Sequence, residues 1–387
     1  MSTLTSRDLD ELIALRKFLH QHPELSNHEV RTAHHVAGFL SETKPDRVLT
    51  GIGGHGVAVI YDSGKPGPTL LFRSELDALP IEERSGVPHA SRVPGISHMC
   101  GHDGHTVILT ALGRLIGRRR PSFGRVVLMF QPAEETGNGA MNVVSDPRFA
   151  EIVPDFAFSL HNFPGVPLGE VRVKEGTVNC ASRGIRIRLE GKTAHASLPE
   201  TGRSPLLAIS QLMPALPALG EATFEEDAFR MVTVTHVTMG EPVFGVAPGH
   251  AEVLATLRTR RDEVMTDLCG AVEMLVTRIA TEHGLGFRFG YEDIFVASVN
   301  APEAVSHLRR ALDDEGIRHS EDSLPMRASE DFGVFGRKAR SAMLFLGAGE
   351  RHPALHNPDY DFPDELIPIG ARIFARVIRN LLEPEGV

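Results

Sequence analysis

The chain has 387 residues, 40 of them Lys or Arg and 50 Asp or Glu, which leaves a formal net charge of −10. That acidic balance excludes the concentrated basic face that phosphate binding needs, so no nucleic acid partner is expected. Hydrophobic residues make up 42% and charged residues 23%, and no run approaches the roughly 18 apolar residues of a membrane span, so the chain reads as globular with no membrane partner. In chain order, Leu9, Leu12, Ile13, Phe18 and Leu19 recur at helical spacing, and His22-Pro23 ends that helix. A second helix is expected over residues 29–40. Residues 57–61 and 70–73 read as strands between Gly and Pro turns. A helix follows His102, with Ile108, Ala111, Leu112 and Leu115 on its buried face. Residues 126–130 and 156–160 are short apolar runs of the kind buried strands show. This alternation predicts an α/β architecture, a mixed and mostly parallel sheet with helices on both faces.

The middle of the chain changes character. Ile185, Ile187 and Leu189 alternate with Arg186, Arg188 and Glu190, as a half-exposed strand would. A helix over 205–216, strands over 231–238 and 252–258, a helix over 262–283 stopped at Gly284, and a strand over 287–295 complete the order βαββαβ. That is the ferredoxin-like pattern. Residues 182–295 are therefore expected to be a smaller α+β domain. It interrupts a domain made of residues 1–181 and 296–387, where a helix over 303–315, a strand over 342–345 and a helix over 367–381 resume the first pattern.

Three cysteines cannot build a disulfide framework, and the polar N-terminus lacks the regions of a signal peptide. A cytoplasmic location is expected, and there a cysteine beside histidines is more telling as a ligand or nucleophile. The densest such cluster is His98-Met99-Cys100-Gly101-His102-Asp103-Gly104-His105, just before an expected helix. Cys100 and His102 are two apart, so one tight turn can aim thiolate and imidazole at one ion. A loop of buried His and Cys is the alternative. Gln131-Pro132-Ala133-Glu134-Glu135 follows a buried strand. One of its carboxylates can bind metal while the other acts as general base, or both can form a solvated helix start. His161 again stands at a strand end, and His356 lies far along the chain. Together, Cys100, His102, Glu135, His161 and His356 offer more donors than one open site needs and suit a pair of ions. Asp77, at the end of residues 70–73 and their extension, can fix a ligand histidine or lie in a surface turn.

Two other patterns are set aside. Gly51-Ile52-Gly53-Gly54-His55-Gly56 fits a dinucleotide fingerprint, but a strand rather than a helix follows it. Arg118-Arg119-Arg120 reads as a helix C-terminus rather than a phosphate clamp.

These motifs resemble the metal-dependent aminoacylase and carboxypeptidase family, and within it the amidohydrolases that include hippurate and auxin-conjugate hydrolases. The resemblance runs from His20-Gln21-His22-Pro23-Glu24 to His356-Asn357. It implies a metal-binding catalytic domain interrupted by a dimerisation domain, and hence a homodimer or homotetramer. It implies Cys100, His102, Glu135, His161 and His356 as ligands of two divalent ions, with zinc favoured by the thiolate and manganese, cobalt or nickel tolerated. It implies Glu134 as general base acting on an ion-activated water, and Asp77 as the carboxylate behind a ligand. His195, in Gly191-Lys192-Thr193-Ala194-His195-Ala196-Ser197, corresponds to an oxyanion-stabilising histidine. Arg258 ends an expected strand, matches a family Thr-x-Arg pattern and is the candidate for binding the substrate carboxylate. The substrate implied is a small N-acyl amino acid, hippurate-like or N-acetylated, cleaved at its amide. A dipeptidase or carboxypeptidase of the same family is the alternative. A catalytically silent binding protein would not need the intact ligand set, and a thiol enzyme using Cys100 would leave the Glu pair without a purpose. Ser329-Glu330-Asp331-Phe332 also resembles a family segment, without an assigned role. Three positions depart from the family pattern: Glu75 and Ser204 stand where Asp is usual, and Gly245 where Asn is.

Overall fold

Strands covered on both faces need no polar side, so the central strands of this protein are almost continuously apolar. In the computed structural model, which describes residues 3–383, these are β2 (Gly56–Asp62), β3 (Thr69–Glu75), β4 (Arg125–Gln131), β5 (Phe156–Pro164) and the late strand Arg340–Gly349, with the more exposed β1 (Arg47–Ile52) at one edge. With the short strands Val171–Arg172 and His319–Ser320 they make an eight-stranded sheet. Its order is β1, β2, β4, β3, β5, Arg340–Gly349, Val171–Arg172, His319–Ser320. Strand β3 runs parallel to both of its neighbours, β4 and β5, and β5 runs parallel to the late strand Arg340–Gly349. Strand β2 is antiparallel to both β1 and β4. The sheet is mixed and mostly parallel at its centre, as the sequence predicts. Phe72 and Phe158 stack across neighbouring strands at 5.5 Å between ring centroids, and Phe374 closes on Phe72 at 4.9 Å. Each buried ring of this kind contributes about 1.5–3 kcal/mol of burial.

The chain divides into two compact units. The first runs through Val178, then takes Ser298–Pro325 and Glu330 onward; the second is Asn179–Ala297 with Met326–Ser329. In the second, four antiparallel strands lie in the order Arg230–Met239, His250–Thr259, Ala181–Glu190, Gly286–Phe295. Ile185, Ile187, Leu189, Val253 and Leu257 are buried with Leu268, Val272 and Val276 of the helix Asp262–Glu282. The intervening Arg186 instead pairs with Glu252 and Glu292 at 2.8 and 2.9 Å. One face is core and the other is a charged lattice, which is why this strand alternates and those of the large sheet do not.

Local signals set the element ends. The first helix, α1 (Ser6–Gln21), begins earlier than apolar spacing indicates, because Thr5 and Asp8 form a reciprocal capping box. The second, α2 (Val30–Ser41), buries Ala33, Val36 and Leu40 at helical spacing. The glycine-rich segment 51–56 is the turn between β1 and β2, with no helix to hold a pyrophosphate. The arginine run ends α3 (His102–Arg118), and Arg118, Arg119 and Arg120 pair with Asp8, Glu383 and Asp46. Among the described residues no helix is long and apolar enough to cross a membrane.

Charge as well as apolar contact fixes the C-terminal half of α1, where Leu19 joins the core. Arg16 is 1% exposed and bonds Asp361 at 2.5 Å and Asp364 at 2.9 Å. His20 lies fully buried between Asp103 at 2.9 Å and Glu83 at 3.2 Å. Burial alone would lower the His20 pKa, but the two carboxylates outweigh it and raise it to about 10. A raised folded pKa gives stability that is complete below the ordinary histidine value of 6.5 and lost as pH climbs through about 10. Urea midpoints should therefore fall between those limits, and His20→Gln should flatten the fall.

Candidate metal centre

Parallel strands open their carboxyl ends to one side, and α/β proteins build sites there. Register places Glu75 of β3 opposite Gln131 of β4, and His161 of β5 opposite Phe345. The helix α3 starts at the same side. Its preceding residue, Gly101, is left-handed (φ 85°), and a Cβ there would meet the Asn162 amide at 2.6 Å. Only glycine allows this close turn, which puts Cys100 and His102 side by side. Ala133, just before Glu134, is also left-handed (φ 53°), and its N–H donates to Glu29 at 2.8 Å. His356 has φ 65°, and its N–H donates to the Met99 carbonyl at 2.8 Å. Such backbone costs on the order of 1–3 kcal/mol for a residue other than glycine, and here it flanks one site on two sides.

All five expected ligands converge, and all five belong to the first unit. Cys100, His102 and His161 bring their donor atoms within 4.8 Å of one another, as do Cys100, Glu135 and His356, and His102, Glu134 and Glu135. Cys100 Sγ is 3.5 Å from His161 Nε2. His102 Nε2 lies 3.9 Å from both Glu134 and Glu135, and His356 Nε2 lies 3.9 Å from Glu135. Overlapping triads that share Cys100 are the geometry a pair of ions needs.

The donor set fits metal on a second ground. His102 Nδ1 is taken by the Asp77 carbonyl at 2.9 Å, with the Asp77 carboxylate 3.5 Å away. His161 Nδ1 is taken by the Asn162 carbonyl at 2.8 Å. Each ring is thereby set in the tautomer that leaves Nε2 as a lone-pair donor. His102 Nε2 and Glu135 Oε1 are buried without a hydrogen-bond partner among the described residues, which is costly unless a cation meets them.

Electrostatics agree. Burial, with Glu330, Glu135 and Asp331 nearby, pushes the Glu134 carboxyl well above the usual carboxylate range. Burial pushes Glu135 up to about 7. Asp77 moves the other way: burial would raise it, but His102, Ser26 and the Glu135 N–H hold it down. Burial and Glu135 push the Cys100 thiol well above its ordinary value. A cysteine nucleophile needs electropositive surroundings to prevail, and here burial and Glu135 outweigh His102.

The other two expected residues stand in the second unit. His195 is exposed on the strand Ala194–His195, paired with Val246–Ala247, and its Nδ1 bonds Ser197 Oγ at 2.7 Å. Arg258 Nη1 donates to the Arg327 carbonyl and Ser329 Oγ, both at 2.9 Å. Gly245 is left-handed (φ 82°), a conformation both Gly and Asn take readily, so the departure keeps the loop's path and removes an amide. Ser204 accepts from the Leu206 N–H at 3.3 Å as the helix Leu206–Ala215 begins.

Sequence reasoning assigned no role to His105, Asn162 or Tyr360. His105 is three residues after His102, on the same helix face, and that spacing was the available signal. Asn162 donates to the Cys100 carbonyl at 2.8 Å and accepts from the Tyr360 hydroxyl at 2.7 Å. Nothing local announces these partners, which are up to 198 residues apart.

Known proteins resemble this chain along most of its length. The profile of peptidase family M20/M25/M40 matches residues 71–380. The chain is 32% identical over 369 residues to the N-acetyl-L-cysteine deacetylase of Bacillus subtilis, covering 94% of this chain and 86% of that one. It is 28% identical to the hippurate hydrolase of Campylobacter jejuni, covering 96% of this chain and 97% of the relative. A solved Bacillus subtilis structure, described as a dinuclear metal binding peptidase of the M20 family, superposes with a TM-score of 0.81 at 27% identity, covering 97% of this chain and 98% of that one.

Proposed function

The chain belongs to peptidase family M20/M25/M40, metal-dependent hydrolases of linear amides, and from that premise we propose that its substrates are N-acyl amino acids. The observation that carries the reading is the convergence of Cys100, His102, Glu135, His161 and His356 beside Glu134. The five would hold two divalent ions, zinc being favoured by the thiolate. When bound, such ions acidify water and polarise a carbonyl. Glu134 takes the proton of the attacking water and returns it to the leaving amine. Asp77 keeps the His102 ring oriented, and His195 donates to the oxygen on which negative charge develops. Arg258 grips the substrate carboxylate, its Nη1 already steadied by Arg327 and Ser329. The outer edges of the second unit's sheet, Arg230–Met239 and Gly286–Phe295, support a homodimer, since unpaired edges invite a partner.

The test is release of free amine from a panel of N-acetyl, N-benzoyl and longer N-acyl amino acids, run beside dipeptides. Turnover confined to the acyl amino acids is the expected result. Faster turnover of dipeptides would move the protein to the peptidase branch, and no turnover of either would remove the substrate assignment. His195→Ala should lower kcat by roughly 10²–10³-fold, the usual cost of one oxyanion donor, with metal content unchanged.

A further inference from the structure

Beneath the metal centre lies a buried group of charges that the mechanism does not use. Arg73 is 1% exposed, in a strand that is buried along its whole length. Its guanidinium bonds Glu75, Asp331 at 2.5 Å, Glu330 at 2.9 Å and the Gln131 side-chain carbonyl at 2.9 Å. Asp331 in turn accepts from the Gln131 amide at 2.8 Å and from the Ala140 N–H at 2.8 Å. This gives the Glu330-Asp331 pair a purpose: it closes the shell around Arg73 next to Glu134, whose carboxylate lies in one cluster with Glu330 and Asp331.

The second oxygen of Glu75 faces away from Arg73 and meets His105 Nδ1 at 2.8 Å. His105 Nε2 receives the Asn162 N–H at 3.0 Å. A nitrogen that accepts an N–H carries no proton, so the His105 proton is on Nδ1 and is donated to Glu75. That bond also spends the Nε2 lone pair, which is why His105 sits among the ligands without being one. Asn162 holds the Cys100 carbonyl, and its own backbone carbonyl receives the His161 Nδ1–H.

We propose that Glu75 is a positioning residue, a buried bridge whose two oxygens tie Arg73, on the Glu134 side, to His105 and Asn162, on the Cys100 and His161 side. It rests on the metal centre assigned above. Glutamate rather than aspartate is needed because the side chain must span Arg73 and the first turn of α3 at once. An aspartate, one methylene shorter, can keep only one of the two. The structure thus explains the departure at position 75 as a lengthened strut, matched to its two partners.

Cobalt(II) binding by competition against a chromophoric chelator, with the absorption spectrum of the bound ion, reads the bridge without substrate. Glu75→Asp should weaken cobalt binding by roughly 10–100-fold, the usual effect of losing a partner behind a ligand, and alter the spectrum. His105 offers a second, milder pair. His105→Asn keeps a donor toward Glu75 but has no acceptor for Asn162, and should behave like Glu75→Asp. His105→Gln keeps an acceptor for Asn162 but has no donor at the Nδ1 position for Glu75, and should weaken binding likewise from the other end of the bridge. In turnover, Glu75→Asp and His105→Asn should lower kcat more than they change KM. If the unsubstituted protein binds two cobalt ions and all three variants match it, the bridge is overturned and the metal centre stands. If the unsubstituted protein binds none, the metal centre itself is overturned and the bridge falls with it.

Discussion

Glu134→Gln is expected to lower kcat by about 10²–10⁴-fold, the range for removing a general base, while leaving KM and metal content close to the unsubstituted values. The substitution keeps shape and volume and removes only the basic oxygen. Its neighbours make it structurally benign. Glu330, Glu135 and Asp331 surround the carboxyl and, with burial, push its proton affinity up. A neutral amide adds no charge to that buried cluster, so the melting temperature should hold. This combination separates catalysis from folding: a stable, metal-loaded protein that does not turn over. Steady-state kinetics on the fastest panel substrate, paired with elemental analysis of the same preparation, checks it. Retained turnover would pass the proton to another group. Glu135, one residue away, would be the first candidate, since it is also pushed up, to about 7.

The sequence made the site legible for a physical reason. The expected ligands sit at element ends, and element ends carry strong local signals. Cys100-Gly101-His102 is a turn into a helix, Glu134-Glu135 follows a strand, and His161 lies near the end of one. Apolar runs gave the buried strands, and alternation gave the half-exposed strand of the second unit. The short strands at Val171–Arg172 and His319–Ser320 were invisible, because two residues show no period. β1 was missed as well. Its burial is irregular and its sequence, Arg47–Ile52, merges into a glycine-rich turn. The layer behind the ligands was illegible for a different reason. Arg73 looks like a polar fault in a buried strand until Asp331 arrives from 258 residues away, with Glu330 beside it. Long-range charge pairing leaves no periodic trace, so only the fold reveals that Glu75 has two partners rather than one.

Stripping the metal should abolish turnover and also loosen the protein, and the second effect is the more diagnostic. Without ions, the first unit buries Glu134, Glu135 and Asp77 beside the unpartnered His102 Nε2. Burial then forces Glu134 and Glu135 toward their neutral forms, and folding gives up the attraction those carboxylates would have for a cation. Ions that bind only the folded chain stabilise it by mass action, about 2.7 kcal/mol at a free concentration 100 times the dissociation constant. Dialysis against a chelator should therefore lower the melting temperature in step with metal content, and zinc or cobalt should restore both stability and amine release. Cys100→Ser tests the shared ligand within the same experiment. It should retain less metal than the unsubstituted protein after identical dialysis, because a hydroxyl is a far poorer zinc donor than a thiolate. Equal retention would remove Cys100 from the ligand set. Loss of activity with unchanged melting on chelation would place the ions outside the buried cluster, since an ion held there must carry part of the folding free energy.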